Sequence, residues 1–153
     1  MLVVVKLPVD PQGAPLGLLE PSEAPPGDPV KPVTAHFFWR EYLAQDAPKA
    51  LDFYKGLLGY ESARTDSMVG LEYFVLRHGS PRAGLFQIPS TAANVRPNWL
   101  PYVLVDDPSA LAAKATGLGG RVLLQPSADR RKGTLAIVAD PTGGVVALQK
   151  FPI

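Results

Sequence analysis

The sequence repeats itself after sixty residues, and this repeat restricts the fold more than any other feature. The stretches WREYLAQDAPKAL, which begins at Trp39, and WLPYVLVDDPSAL, which begins at Trp99, share Trp, Tyr, Asp, Pro, Ala and Leu in the same order and with the same spacing. The pairs at this offset are Trp39/Trp99, Tyr42/Tyr102, Asp46/Asp106, Pro48/Pro108, Ala50/Ala110, Leu51/Leu111 and Gly59/Gly119. One such unit cannot bury its own apolar sheet face, so we expect two copies to form one fold.

Each copy predicts the order β-α-β-β-β. In the first copy, Asp46 is the expected N-cap of a helix with Pro48 in its first turn, and Gly59 ends that helix. In the second copy, Asp106 and Pro108 open the helix. The predicted strands are 33–44, 60–66, 71–77 and 83–88 in the first copy, and 99–105, 120–124, 134–139 and 145–150 in the second. The fold class is therefore α+β, with tandem modules at 33–90 and 93–152.

The residues before the first module have a different character. Residues 9–19, VDPQGAPLGLL, align with residues 139–149, ADPTGGVVALQ, which close the second module. Residues 1–20 are therefore expected to form a hairpin that resembles the tail of a preceding module. Residues 21–32, PSEAPPGDPVKP, have the composition of an extended proline-rich linker. The sequence thus reads as part of a longer tandem protein.

Composition excludes several classes of function. A net charge of +1 over 153 residues gives no field that would gather nucleic acid or anionic lipid. The basic run at 130–132 is interpreted as a solvated loop. There is no cysteine, which removes disulfides and thiol chemistry, and no apolar run has the length of a membrane helix. The compartment is not determined, and the cytoplasm is only the default.

Three stretches resemble one family. DAPKALDFYKGLLGY, WLPYVLVDDPSALAAKATGLGGRV and ADPTGGVVALQ are similar to the first helix, the second helix and the closing DPxG hairpin of the glyoxalase/bleomycin-resistance/dioxygenase superfamily, the vicinal oxygen chelate proteins. The resemblance covers about residues 33–152. It implies a U-shaped mixed sheet of about eight strands around a cleft, which in metal-dependent members holds a divalent ion bound by His, Glu or Gln.

The resemblance also indicates where metal ligands would lie. In some members one ligand lies seven residues before the Asp that opens each helix, and another lies seven residues after the DPxG Asp. These positions are Trp39, Trp99 and Ala147, with Gln87 as a further candidate. Indole and methyl groups offer no lone pair to a hard cation, and one amide is not a metal site. We therefore expect no metal and no cofactor.

The same positions are candidates for binding a ligand. Strand alternation places Trp39 and Glu41 on one face, which the resemblance makes the cleft face. Glu41 is the candidate acid or base; alternatively, it pairs with an arginine or faces the rim. Trp39 and Trp99 either clamp a flat apolar ligand or pack in the core. The expected ligand contacts are Trp39, Glu41, Gln87, Trp99 and Ala147.

These features favour a metal-free module that binds a hydrophobic or planar small molecule. One alternative is an enzyme of the superfamily, of lyase, isomerase or dioxygenase type, with an unrecognised metal site or with Glu41 as its catalytic group. Another is a packing half of a larger tandem protein. The expected protein partner is a second copy in a homodimer or a missing preceding module; nucleic acid and membranes are not expected partners.

Overall fold

The computed structural model describes residues 2–6, 8–21, 31–65, 72–92 and 94–151, and most of the proline-rich linker lies outside these ranges. Its strands are β1 Leu2–Lys6, β2 Leu18–Pro21, β3 Phe37–Ala44, β4 Glu61–Thr65, β5 Tyr73–His78, β6 Ser80–Gln87, β7 Asn98–Leu104, β8 Arg121–Leu124, β9 Leu135–Ala139 and β10 Val145–Gln149. Its helices are α1 Ala47–Leu58 and α2 Pro108–Gly117, and Arg131–Gly133 form a 3₁₀ turn. Neither α-helix is long and apolar enough to cross a membrane.

The chain divides into two compact units. The first comprises residues 1–29 and 40–99, and the second comprises residues 30–39 and 100–153. In the first unit the strand order is β4-β5-β6-β3, and in the second it is β7-β10-β9-β8. In both, one parallel pair (β3 with β6, β7 with β10) joins otherwise antiparallel strands. The prediction of an α+β fold built from two βαβββ repeats is confirmed.

Each of the two α-helices begins with an aspartate N-cap. The cap of α2 lies one residue later than the sixty-residue repeat in the sequence predicts. The carboxylate of Asp46 accepts a hydrogen bond from Lys49 N at 3.1 Å and caps α1. The cap of α2 is Asp107, which accepts from Ala110 N at 3.0 Å. The prediction of Asp106 as the cap was therefore wrong, because the second of two consecutive aspartates has the extended backbone that an N-cap requires.

Counting from the caps changes which residues correspond between the repeats. Glu41 and Tyr102 each lie five residues before a cap, and their partners on the parallel neighbour are Gly84 and Ala147. Trp39 corresponds in the same way to Leu100 and not to Trp99. An offset of sixty residues aligns the two tryptophans in the sequence. The strands that precede the two helices correspond at an offset one residue longer.

Each helix covers one face of its own strands. Helix α1 packs through Ala47, Ala50 and Tyr54 on a core that includes Tyr42 and Leu85. Helix α2 packs through Ala112 on a second core, which consists of Ala136, Val138, Val122, Val146 and Leu148. Because side chains alternate along a strand, the intervening residues point to the face that carries no helix. We call this side of each unit its helix-free face.

The two DPxG sequences form turns with the same hydrogen bonds. Asp10 N donates to Ala14 O at 2.9 Å, and Asp140 N donates to Gly144 O at 2.9 Å. The fourth residues of these sequences, Gly13 and Gly143, have φ of 94° and 99°, a conformation that suits glycine. Strands β1 and β2, which lie before and after the first turn in the chain, pair antiparallel in a separate two-stranded sheet. That this segment is the tail of a preceding module stays a prediction.

Candidate functional site

A carboxylate and a phenol meet on the helix-free face of the first unit. Glu41 on β3 is completely buried, and its Oε1 accepts a hydrogen bond of 2.8 Å from the hydroxyl of Tyr73 on β5. Strand β6 lies between them, and Gly84 is the residue directly opposite Glu41. A Cβ at Gly84 would lie 2.0 Å from the Tyr73 hydroxyl oxygen and 3.0 Å from Cγ of Glu41. The missing side chain of Gly84 is therefore what allows this pair to form.

Apolar groups surround this pair. Leu43, Val75 and Phe86 are half-buried and lie on the same face by strand register. The rings of Tyr73 and Phe86 are nearly parallel, with centroids 6.3 Å apart. A few polar atoms within a mostly apolar surface are typical of sites for small organic molecules, in which the polar groups determine orientation.

Gln87, one of the expected ligand contacts, forms hydrogen bonds to the main chain through its side-chain amide. Its Oε1 accepts from Ala47 N at 2.9 Å, and its Nε2 donates to Gln45 O. Gln12 also contacts this connection: its Oε1 accepts from Gln45 N at 2.7 Å and from Asp46 N at 3.0 Å. Two glutamine amides thus fix the connection between β3 and α1. Both ends of the Gln87 amide contact the main chain in this arrangement.

Trp99 belongs to an aromatic cluster on the helix-bearing side of the first unit. Its ring centroid lies 5.1 Å from those of Tyr42 and Tyr54, and its indole N–H donates to the Tyr54 hydroxyl at 2.9 Å. The Tyr54 hydroxyl in turn donates to Oδ2 of Asp10 at 2.7 Å. These contacts agree with the packing alternative for Trp99.

The carboxylate of Asp10 is the buried end of this chain of hydrogen bonds. Burial raises the pKa of Asp10, but the hydrogen bonds from the Tyr54 hydroxyl and from two backbone N–H groups outweigh burial and hold the pKa below its ordinary value. Burial and the neighbouring Asp10 charge raise the pKa of both tyrosines above the ordinary value. Asp10 is therefore ionised and both phenols are neutral at physiological pH. This network supports structure on the α1 side, whereas the Glu41–Tyr73 pair lies on the helix-free face.

The remaining candidates lie in the second unit. Trp39 is half-buried on β3, in the part of that strand that belongs to the second unit. Ala147 is completely buried and lies opposite Tyr102, the residue that corresponds to Glu41. Of the five expected ligand contacts, Glu41 lies on the helix-free face of the first unit. Gln87 and Trp99, in the same unit, contact the β3–α1 corner and the aromatic cluster.

The residues at the family's ligand positions do not fit a divalent metal ion. With the corrected register these positions are Trp39, Leu100 and Ala147, and none of the three side chains has a lone pair that a hard cation accepts. Within the described ranges no three His, Asp or Glu side chains are grouped as metal ligands. Leu100, which the corrected register puts in place of Trp99, also has no side-chain lone pair that could bind a metal ion.

Sequence reasoning missed Tyr73 and Gly84. Tyr73 lies on a strand that was expected, but only the pairing of β5 with β6 shows which residue it approaches. Gly84 did offer a signal, because a glycine inside a strand often marks the close approach of another group. The group itself, a ring from the neighbouring strand, could not be read from the sequence.

Comparison with known proteins agrees with this fold. A model of the glyoxalase-like domain matches residues 36–148. "Putative glyoxylase CFP32" of Mycobacterium bovis is 31% identical over 141 residues, which are 92% of this chain and 53% of that protein. The anthracycline biosynthesis protein DnrV of Streptomyces peucetius is 35% identical over 118 residues, or 76% of this chain and 42% of that protein. The chain thus spans about half the length of these curated relatives.

A solved structure shows the same fold at low sequence identity. Methylmalonyl-CoA epimerase from Mycobacterium tuberculosis superposes with a TM-score of 0.50 at 14% identity, covering 82% of this chain and 94% of the epimerase. The domain model covers most of the chain, and the repeats have the predicted order of strands and helices. This chain therefore belongs to the glyoxalase-like domain family of the vicinal oxygen chelate superfamily.

Proposed function

We propose that this chain binds a small organic molecule at the helix-free face of its first unit, without a resident divalent metal. The observation that carries the proposal is the buried Glu41 carboxylate with its hydrogen bond from Tyr73. A carboxylate away from water reduces stability unless it is hydrogen-bonded. The chain also keeps a glycine at residue 84 to make room for the phenol. A polar pair held in this way is well suited to orient a ligand.

The neighbouring side chains favour a flat, largely apolar ligand. The nearly parallel rings of Tyr73 and Phe86 and the half-buried Leu43 and Val75 offer apolar area, while Glu41 and Tyr73 supply one acceptor and one hydroxyl. Two relatives, DnrV and DauV of Streptomyces sp. strain C5, are named anthracycline biosynthesis proteins. Planar polycyclic aromatics are therefore the first class of compound to test.

The proposed absence of a metal rests on the chemistry of the residues at the family's ligand positions. Trp39, Leu100 and Ala147 would have to bind the ion, and their side chains cannot. We expect protein purified without chelator to contain far less than one equivalent of zinc, nickel, manganese or iron by elemental analysis. Near-equimolar metal that survives dialysis and is needed for ligand binding would contradict the metal-free site.

A second candidate function is proton transfer, favoured by the same 2.8 Å hydrogen bond. In this function Glu41 would accept a proton from a bound ligand and Tyr73 would donate one, as a general base and acid do in enzymes. Incubation of a ligand in D2O distinguishes the two functions. An enzyme would incorporate deuterium at a ligand carbon, and Glu41→Gln would abolish the exchange, whereas a binding module returns the ligand unlabelled.

The binding test uses 1,4-naphthoquinone and 1-hydroxyanthraquinone as probes in calorimetric titrations. We expect Glu41→Gln and Tyr73→Phe each to weaken binding by about tenfold, the usual loss for a contact at the centre of a site. The matched controls are Glu72→Gln and Tyr60→Phe, an exposed carboxylate and a half-buried phenol of the same unit. Binding that both controls reduce as much as the test variants, or no binding at millimolar probe, would leave the packing-half alternative as the better account.

A further inference from the structure

Tyr54 lies at the centre of the hydrogen-bond chain that joins Trp99 to Asp10. Its hydroxyl oxygen accepts from the Trp99 indole N–H at 2.9 Å, and its O–H donates to Oδ2 of Asp10 at 2.7 Å. Tyr54 is completely buried, and Asp10 is only 4% exposed. The phenol of Tyr54 thus points its proton at a carboxylate within the distance that proton transfer requires. This arrangement has a chemical consequence beyond stability, because a phenol loses an electron more readily when its proton can leave at the same time.

Trp99 connects the buried phenol to the solvent. It is half-buried, so part of the residue is accessible to small molecules, and its ring centroid lies 5.1 Å from that of Tyr54. In a chain without cysteine, indole and phenol groups are the side chains that lose a single electron most easily. Rings at this distance exchange an electron without any movement of the backbone. Trp99 and Tyr54 are therefore placed for electron transfer between them.

Tyr42 provides an internal comparison for Tyr54. Its ring centroid is also 5.1 Å from that of Trp99, and it is completely buried as well. Within the described ranges, however, the Tyr42 hydroxyl has no hydrogen-bond partner. Oxidation of Tyr42 would leave its proton in the core without a hydrogen-bonded acceptor, and an unpaired buried charge is costly. Distance from Trp99 does not distinguish the two phenols, whereas the Asp10 carboxylate favours Tyr54.

We propose that Trp99, Tyr54 and Asp10 form a one-electron relay that moves an oxidising equivalent from Trp99 to Tyr54. A one-electron oxidant, such as a peroxyl radical, takes an electron from the Trp99 indole and is reduced to its anion. An electron then passes from Tyr54 to the indole radical cation, and the phenol proton moves to Oδ2 of Asp10. Trp99 is restored with its N–H, Tyr54 becomes a neutral radical and Asp10 becomes a neutral carboxylic acid. The relay shares no residue with the Glu41–Tyr73 site, so the two proposals are independent.

The test generates an oxidant by flash photolysis of ruthenium(II) tris-bipyridine with persulfate in a solution of the full chain. Electron paramagnetic resonance of protein with ring-deuterated tyrosine distinguishes the radicals, because the label changes only a tyrosyl signal. We expect mainly tyrosyl radical in the wild type. Tyr54→Phe and Trp99→Phe should each remove most of it, and Asp10→Asn, which removes the proton acceptor, should reduce its yield by about tenfold or more. Tyr42→Phe is the matched control and should leave the yield unchanged.

Peptide mass spectrometry gives a second measurement on the same samples. In Tyr54→Phe the oxidising equivalent stays on Trp99, so oxygen-addition products at Trp99 should increase several-fold relative to the wild type, and Tyr42→Phe should not increase them. The two Phe variants each remove one buried hydroxyl from the same cluster, so a general disturbance of the core would affect both.

Four outcomes overturn the relay. They are a wild-type radical that remains on tryptophan, an equal loss of tyrosyl radical in Tyr54→Phe and Tyr42→Phe, a yield in Asp10→Asn equal to that of the wild type, and Trp99 oxidation that is the same with and without the Tyr54 hydroxyl.

Discussion

The helix-free faces of the two repeats share a backbone pattern but differ in chemistry. Five residues before each helix cap, the first unit has Glu41 and the second has Tyr102. Opposite them lie Gly84 and Ala147, and only the glycine leaves room for a ring from the next strand. The first face therefore presents a carboxylate with a phenol, whereas the second presents an aromatic ring beneath a guanidinium. The two repeats thus share their strand pairing but differ in the chemical character of these faces.

The two DPxG turns differ in the same manner. Both use the aspartate Oδ1 to accept from backbone N–H groups of the turn. Asp10 is buried, and its Oδ2 also accepts from Tyr54, whereas Asp140 is exposed. One turn motif therefore acts in one unit as part of the core and in the other as a surface turn. Variants at equivalent positions can test each of these differences.

The largest expected difference in the free energy of unfolding is between Asp10→Ala and Asp140→Ala. Removing the Asp10 carboxylate leaves the buried Tyr54 hydroxyl and two turn N–H groups without their acceptor, which should reduce the free energy of unfolding by about 2–3 kcal/mol. Asp140→Ala removes similar bonds in contact with water, so its loss should be clearly smaller. Urea unfolding followed by circular dichroism measures both, and equal losses would show that the partners of Asp10 add nothing to the turn.

The next comparison exchanges the residues opposite Glu41 and Tyr102. Gly84→Ala would force the Tyr73 ring away from Glu41, and overpacking of this kind should cost about 1–3 kcal/mol. Ala147→Gly removes a methyl group and loosens the strand, which should cost about 0.5–1 kcal/mol. Thermal unfolding measures both values. If Gly84→Ala were as stable as wild type, then the close approach of Tyr73 to β6 would not constrain the site.

Lowering the pH should reduce the free energy of unfolding through the aspartates of both DPxG turns, and the effect of Asp10 should be the larger. The pKa values of Asp10 and Asp140 are lowered in the folded chain, so their contributions are complete above the unfolded pKa of about 4 and are lost as pH falls through the lower folded values. The stability gap between wild type and Asp10→Asn should therefore narrow below about pH 4, and the change should be smaller for Asp140→Asn. Urea midpoints from pH 7 to pH 2 measure this gap, and a gap independent of pH would argue against an ionised Asp10.

The periodicity of apolar residues and the helix caps predicted most of the fold, but they predicted fewer of the contacts at the candidate site. Alternating strands, helices with Pro in the first turn and glycine-rich turns are local features, and the order they predicted is confirmed. The error at Asp106 arose because two consecutive aspartates are equally good caps in a sequence, and only the backbone selects Asp107. That shift of one residue matters on a strand, because it moves a side chain to the opposite face. This is why Trp99 was expected to occupy the position that Leu100 holds.

Partners from distant strands were beyond the reach of sequence reasoning. Glu41 was identified as a candidate because it shares a face with Trp39, but its contact with Tyr73 depends on the order of β3, β6 and β5. The basic run at 130–132 has an ordinary composition, and its left-handed backbone is visible only in three dimensions. Long-range pairing and backbone strain are set by the whole fold and leave little trace in a short window of sequence.

The smallest expected effect is a gain in stability at Lys132. This residue has a φ of 53° and an exposed side chain, so Lys132→Gly relieves left-handed strain without removing a buried contact. The relief should exceed the added entropy of the unfolded chain and raise the free energy of unfolding by about 0.5–1 kcal/mol. Lys114→Gly, the same substitution within α2, should lower it by about 1 kcal/mol. Chemical unfolding of both variants measures these opposite signs. A loss at both positions would mean that the loop conformation is not strained at Lys132.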